Sequence, residues 1–132
     1  PNQTGFTTCL ARKLIFSAAA TKIEQNNLWV LPSGPIPPNP AELLNSSRVQ
    51  MMWNQLLQEY DYVLIDSSPV LAVTDPTILS TQADAVIMVV RSEFTRIEAA
   101  LQAREQLARA DARLLGVILN QVKINSYNFY AY

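Results

Sequence analysis

The chain has 132 residues, the size of one domain, and 49% of them are apolar, enough for a core. Ten Lys and Arg stand against eleven Asp and Glu, so a net charge of −1 gives no bulk electrostatic case for nucleic acid or an anionic membrane surface. With no histidine, Ser-His and Cys-His catalysis and His-ligated metals are excluded, and with Cys9 as the one cysteine an internal disulfide is excluded too.

A lone cysteine suits a reducing cytoplasm, and a metal here would need oxygen ligands, which favours Mg²⁺. The longest apolar runs are five or six residues, far short of the ~20 that a membrane span needs. No signal peptide opens the chain. Of the three glycines, none precedes a Lys-Ser or Lys-Thr pair, so there is no phosphate-cradling Gly-x-x-x-x-Gly-Lys loop. The start at Pro1-Asn2, without Met, reads as a fragment of a longer protein.

In chain order, residues 7–14 read as a weak helix. The apolar run 28–31 reads as a strand, and the proline-rich stretch 32–40 as a loop. Asn39-Pro40-Ala41-Glu42 offers an N-cap, a proline at the first helical position and a capping-box Glu. Beyond it, Val49, Met52, Trp53, Leu56, Leu57 and Tyr60 form one apolar stripe at helical spacing, suited to packing on a sheet.

The next run, 63–65, is apolar and branched, ends in Asp66, and is followed by a turn at Ser67-Ser68-Pro69. It reads as a strand buried on both faces. Asp75-Pro76 predicts a short helix to about Gln82 with Asp75 as its cap. Runs 86–90 and 114–119 are two further buried strands. Between them Thr95-Arg96-Ile97-Glu98 is a capping box that opens a helix to about Ala110, with Ile97, Ala100, Leu101, Leu107 and Ala108 facing inward. Alternating helices and non-alternating apolar strands predict an α/β fold with a doubly wound, mainly parallel sheet.

Asp66, Arg91 and Asn120 each follow an apolar strand at once, so they are expected on one carboxyl edge of the sheet, where α/β folds bind ligands. Asp66 suits Mg²⁺, directly or through water, in the way P-loop nucleotidases place an acid after a strand. It equally suits the cap of its own turn. Asn120 can both donate to and accept from a base edge, or cap its strand end. Arg91 can pair with phosphate or stand as a solvated strand end. At the other end of the chain, Tyr127, Tyr130 and Tyr132 crowd around Phe129 in no helix or strand pattern. They read as modifiable tyrosines or as aromatic anchors.

This order of motifs resembles the cytoplasmic kinase domain of bacterial tyrosine kinases, or BY-kinases, which belong to chain-length regulators of exopolysaccharide and capsule export. The resemblance rests on Leu28-Trp29-Val30-Leu31-Pro32-Ser33-Gly34 with Asn39-Pro40 after it. It rests also on Asp61-Tyr62-Val63-Leu64-Ile65-Asp66-Ser67-Ser68-Pro69-Val70 as a Walker B segment, on Thr74-Asp75, on Val89-Val90-Arg91, on Gly116-Val117-Ile118-Leu119-Asn120 and on the closing tyrosines. Pro1-Asn2-Gln3-Thr4-Gly5-Phe6 resembles the stretch after the family's second phosphate-site motif. Ser68 stands where a second proline is common.

The resemblance implies a P-loop NTPase, Rossmann-like fold that lacks the phosphate-loop strand. Residues 1–125 would be the C-terminal portion of the kinase domain, and 126–132 its tyrosine-rich tail. It implies ATP and Mg²⁺ as cofactors, Asp66 as the catalytic and Mg²⁺-orienting acid, Asn120 at adenine, and Tyr127, Tyr130 and Tyr132 as phosphoacceptors. The expected partners are neighbouring subunits of a homo-oligomer and a membrane-anchored chain-length regulator, fused or separate, at the inner face of the membrane, with no nucleic acid. With the phosphate loop outside it, the segment alone is expected to be inactive. Two other readings fit part of the pattern: a partitioning-type ATPase switch, and a non-catalytic chain-length adaptor.

Overall fold

A computed structural model describes residues 3–12, 14–24 and 27–123. The chain forms two compact units, residues 1–65 and 66–132.

In the first unit, helix α1 (Phe6–Arg12) leads through a short 3-10 turn, Phe16–Ala18, to strands β1 (Thr21–Ile23) and β2 (Leu28–Val30). Helices α2 (Pro40–Leu44) and α3 (Ser47–Glu59) follow. The apolar stripe of α3 supplies Val49, Met52 and Leu56 to a core shared with Cys9 and Leu10 of α1 and with Phe16. Trp53 and Tyr60 pack at its margin, with the Phe6 and Trp53 rings 5.8 Å apart. Leu57 is exposed, because it falls a step off that face. The stripe therefore packs on α1 and the 3-10 turn rather than on a parallel sheet. Burial pushes the Cys9 thiol up, so it stays protonated and inert.

Strand β2 corrects the expectation of a parallel strand. It pairs antiparallel with β1, Thr21 opposite Val30 and Ile23 opposite Leu28. The short connection between them permits a hairpin, whereas parallel pairing needs a crossover.

The start of α1 is fastened to the proline-rich loop. Phe6 N–H donates to the Pro32 carbonyl at 2.8 Å, Thr7 N–H to that of Ser33 at 3.0 Å, and the Thr7 hydroxyl to that of Pro35 at 2.8 Å. Gly34 turns the loop with φ of 78°, a left-handed value that suits glycine. Gly5 lies against it, and a Cβ at Gly5 would run into the Pro32 carbonyl oxygen. Gly5→Ala is therefore expected to destabilise the protein by about 1–3 kcal/mol in urea denaturation. Gly116→Ala, where a Cβ meets nothing within 4 Å, is expected to change little. Equal stability of the two variants would refute the tight approach.

In the second unit, α4 (Asp75–Ser80) precedes β3 (Val86–Arg91), α5 (Ile97–Arg109) and β4 (Leu114–Asn120). β3 and β4 run parallel, as expected, from Val86 opposite Leu114 to Arg91 opposite Asn120, with an irregularity after Val86. The anticipated four-stranded doubly wound sheet is not formed among the described residues, which hold two two-stranded sheets. Residues 63–65 are not a strand. Leu64 is 90% exposed and Tyr62 87% exposed, which corrects the expectation of a buried run. An apolar run becomes a buried strand only when neighbours on both edges take up its N–H and C=O groups, and no described segment pairs with it.

The burial of β3 alternates. Val86, Met88 and Val90 are half-buried, whereas Ile87 and Val89 are exposed, so one face is covered and the other is open. On α5 the buried residues are Ala103 and Leu107, while Ile97, Leu101 and Ala108 are exposed, correcting the predicted inward set. Neither expected cap forms as predicted. The N-cap of α4 is Thr74 and that of α5 is Arg96, both without a side-chain cap bond. Thr95 is diverted, its hydroxyl oxygen accepting from the Arg91 N–H at 2.9 Å.

Candidate nucleotide site at the carboxyl edge of the parallel strands

The parallel register makes Arg91 and Asn120 direct neighbours at the carboxyl ends of β3 and β4. The chain leaves both strands in tight turns. After β3, Phe94 N–H and Thr95 N–H donate back to the Arg91 carbonyl at 3.3 and 2.9 Å, and Glu93 adopts φ of 59°. After β4, Gln121 adopts φ of 57° and its N–H donates to Asn120 Oδ1 at 2.8 Å. That last bond is the strand-end capping role left open for Asn120. Its Nδ2 has no partner among the described residues.

The two turns are tied together. Ser92 N–H donates to the Asn120 carbonyl at 2.9 Å, and Lys123 Nζ donates to Glu93 Oε2 at 2.7 Å in an exposed ion pair. Such an exposed pair adds little stability, about 0–1 kcal/mol, but it joins the two loops that frame the edge. The Arg91 guanidinium lies over the Phe94 ring, 4.8 Å from its centroid. Both side chains are exposed, and Arg91 forms no ion pair with a described residue.

Asp66 is exposed and its carboxylate has no hydrogen bond or ion pair to a described residue. No bond joins it to Arg91 or Asn120, so the register brings together two of the three residues read from the sequence. Among the described residues no three of Asp, Glu, Cys or His gather as a ready-made metal cluster. What surrounds Asp66 in sequence is oxygen-bearing: Ser67 and Ser68 follow, and the Ser67 hydroxyl contacts the Ser68 carbonyl at 3.3 Å. An unpaired carboxylate among oxygen donors fits a hard cation and its water shell.

The segment after Asp66 is held by a residue that sequence reading missed. Gln106 of α5 donates from Nε2 to the Val70 carbonyl at 3.0 Å and contacts Thr77 Oγ1 at 2.9 Å. Gln106 lies on the half-buried side of α5, between Ala103 and Leu107. A polar residue inside an apolar helix stripe was the signal that could have found it. Phe94 was missed as well; only its place one step before the presumed cap marked it. Tyr127, Tyr130 and Tyr132 lie outside the described residues.

No family model matches the chain. Among curated proteins it is 40% identical to the tyrosine-protein kinase YwqD of Bacillus subtilis (strain 168), over 99% of the chain and 55% of that protein. It is 32% identical to the putative tyrosine-protein kinase CapB of Staphylococcus aureus, over 100% of the chain and 58% of that protein. Among solved structures, the kinase domain of the Escherichia coli tyrosine kinase ETK matches with a TM-score of 0.86 and 26% identity, over 100% of the chain and 52% of that domain chain. The chain thus spans a little over half the length of each.

Proposed function

The chain belongs to the bacterial tyrosine kinases, matching part of their kinase domain, and from that membership we propose that the protein carrying it transfers the γ-phosphoryl group of ATP to tyrosine hydroxyls. The observation that carries this reading is the 40% identity to a named tyrosine-protein kinase along 99% of the chain. The acceptors are tail tyrosines of neighbouring subunits, and the process served is exopolysaccharide or capsule export, through a membrane-anchored chain-length regulator that is fused or separate. The fold of the complete domain is a doubly wound, P-loop NTPase sheet. The unpaired run 63–65 and the open face of β3 support this, since both are apolar surfaces suited to further layers of such a sheet.

Phosphoryl transfer rests mainly on positioning and charge stabilisation. Asp66 would hold the Mg²⁺ that accompanies ATP, directly or through water, and can accept the proton of the incoming tyrosine. When bound, Mg²⁺ would supply neutralisation of charge on the phosphates. Arg91 offers guanidinium N–H groups to phosphate oxygens, since it is exposed and forms no ion pair with a described residue. Asn120 meets the adenine edge through its amide. Gln106 keeps the segment behind Asp66 fixed to α5.

The test is incubation of the purified protein with Mg²⁺-ATP, followed by phosphotyrosine detection and mass mapping. Phosphotyrosine that accumulates with time is the expected result. ATP hydrolysis without it would turn the reading to a partitioning-type switch. Neither activity in the full-length protein would turn it to a chain-length adaptor.

A further inference from the structure

The turn after β3 is built as a fixed aromatic shelf. Phe94 is 73% exposed, yet it is not loosely held. The Arg91 guanidinium covers one face of the ring. The turn that carries the ring is closed by Phe94 N–H and Thr95 N–H to the Arg91 carbonyl and by Arg91 N–H to Thr95 Oγ1. Ser92 N–H anchors the same turn to the Asn120 carbonyl, and Glu93 is held by Lys123 from beyond β4. A ring carried on a turn already closed by backbone bonds and backed by a guanidinium costs less to order when a flat ligand lands on it. The neighbouring strand end carries the Asn120 amide, paired in register with Arg91, and its Nδ2 is without a partner among the described residues. The combination of an aromatic face, a backing cation and an adjacent hydrogen-bonding amide is matched by a nucleobase, which has a π-face and a polar edge.

We propose that Phe94 is the stacking platform for the base of the bound nucleotide, with Arg91 behind the ring and Asn120 at the base edge. This inference rests on the nucleotide-binding reading above and adds to it the residue that holds the base. Stacking on a π-face is tolerant of base identity, so Phe94 contributes affinity while the Asn120 amide contributes selectivity. The ring needs no neighbour for its folding, being largely in solvent, so its replacement leaves the turn to its backbone bonds.

The experiment compares two ligands on the full-length protein: Mg²⁺-ATP, and Mg²⁺-tripolyphosphate, which offers phosphates without a base. Binding is measured by calorimetry for the unmodified protein and for Phe94→Ala, Phe94→Leu and Phe94→Trp, each checked by thermal melting. Phe94→Ala is expected to weaken Mg²⁺-ATP by about tenfold and to leave tripolyphosphate unchanged. Phe94→Leu, which keeps bulk but not the π-face, should resemble Phe94→Ala. Phe94→Trp should retain affinity and show fluorescence quenching, beyond that of the unmodified protein, with ATP but not with tripolyphosphate. Unchanged ATP binding in Phe94→Ala overturns the platform, as does an equal loss for both ligands. Unchanged ATP binding together with lost self-association would make the ring a subunit contact instead, which also overturns it. If the unmodified full-length protein binds ATP, any of these failures leaves the kinase reading standing. If it binds neither ligand, both readings fall together.

Discussion

Asp66→Asn in the full-length protein is expected to keep the fold and lower phosphoryl transfer to tyrosine by about a hundredfold or more. The substitution preserves volume and hydrogen-bonding capacity but removes the negative charge. In the described structure that charge neutralises nothing, since no described cation pairs with Asp66. No ion pair is broken, so stability should change by no more than about 0.5 kcal/mol, as for other surface substitutions. A group that contributes little to the fold and loses two orders of magnitude in rate acts on the reaction, and that magnitude is typical for removing one preorganised electrostatic partner. The measurement is initial-rate phosphotyrosine formation at saturating Mg²⁺-ATP, with thermal melting as the control. Unchanged turnover would remove Asp66 from the mechanism and leave it as a turn residue. A rate restored by raising Mg²⁺ would assign the loss to metal affinity rather than to proton transfer.

Changing Tyr127, Tyr130 and Tyr132 together to Phe is expected to abolish most phosphotyrosine while leaving ATP binding intact. A substrate tyrosine must leave its own surface and enter another subunit's site, and segments beyond the last strand of a domain are best placed to do so. Each modification adds about −1.5 to −2 charges, so three would carry the chain from −1 to about −6. Charge of that size would oppose docking of the tail on a neighbouring subunit. The competing acceptors differ in accessibility. Tyr60 packs at the core margin and sets its ring edge-on to Trp29, 6.5 Å away. Tyr62, just ahead of the run 63–65, is exposed. Mass mapping must therefore follow Tyr62 separately, with Tyr62→Phe as a control. Labelling that persists at Tyr62 after the triple change would move the acceptor out of the tail. Phosphotyrosine absent from the unmodified protein would return the tail to the role of an anchor.

The helices and the β3–β4 pair were legible in the sequence because their signals are local. Helical spacing from Val49 to Tyr60 fixes which side of α3 is apolar whatever it meets, and Val49 and Met52 are indeed among the most buried side chains. Two apolar runs separated by a helical segment can pair in parallel only through that crossover, so Arg91 and Asn120 arrive at the same edge by topology alone. Their adjacency follows from chain order and strand length, both of which can be counted along the sequence.

What only the tertiary structure decided is whatever depends on a partner distant in the chain. The run 63–65 has the composition of a buried strand, but composition cannot supply the neighbouring backbone that would take its hydrogen bonds; among the described residues it stays unpaired, with Val63 half-buried against the core and Leu64 and Ile65 exposed. The run 28–31 is apolar too, yet its residues 28–30 form a hairpin with the nearby Thr21–Ile23. Thr95 reads as a helix cap, yet its hydroxyl oxygen is taken by Arg91 N–H once β3 turns. Phe94 carries no pattern at all in the sequence. Only the turn that closes on the Arg91 carbonyl sets its ring against the guanidinium. Periodicity reports the face that an element must bury, and this chain displays it plainly. The identity of the neighbour that buries it, and the side chains that meet at a turn, are set by contacts between segments that no local pattern encodes.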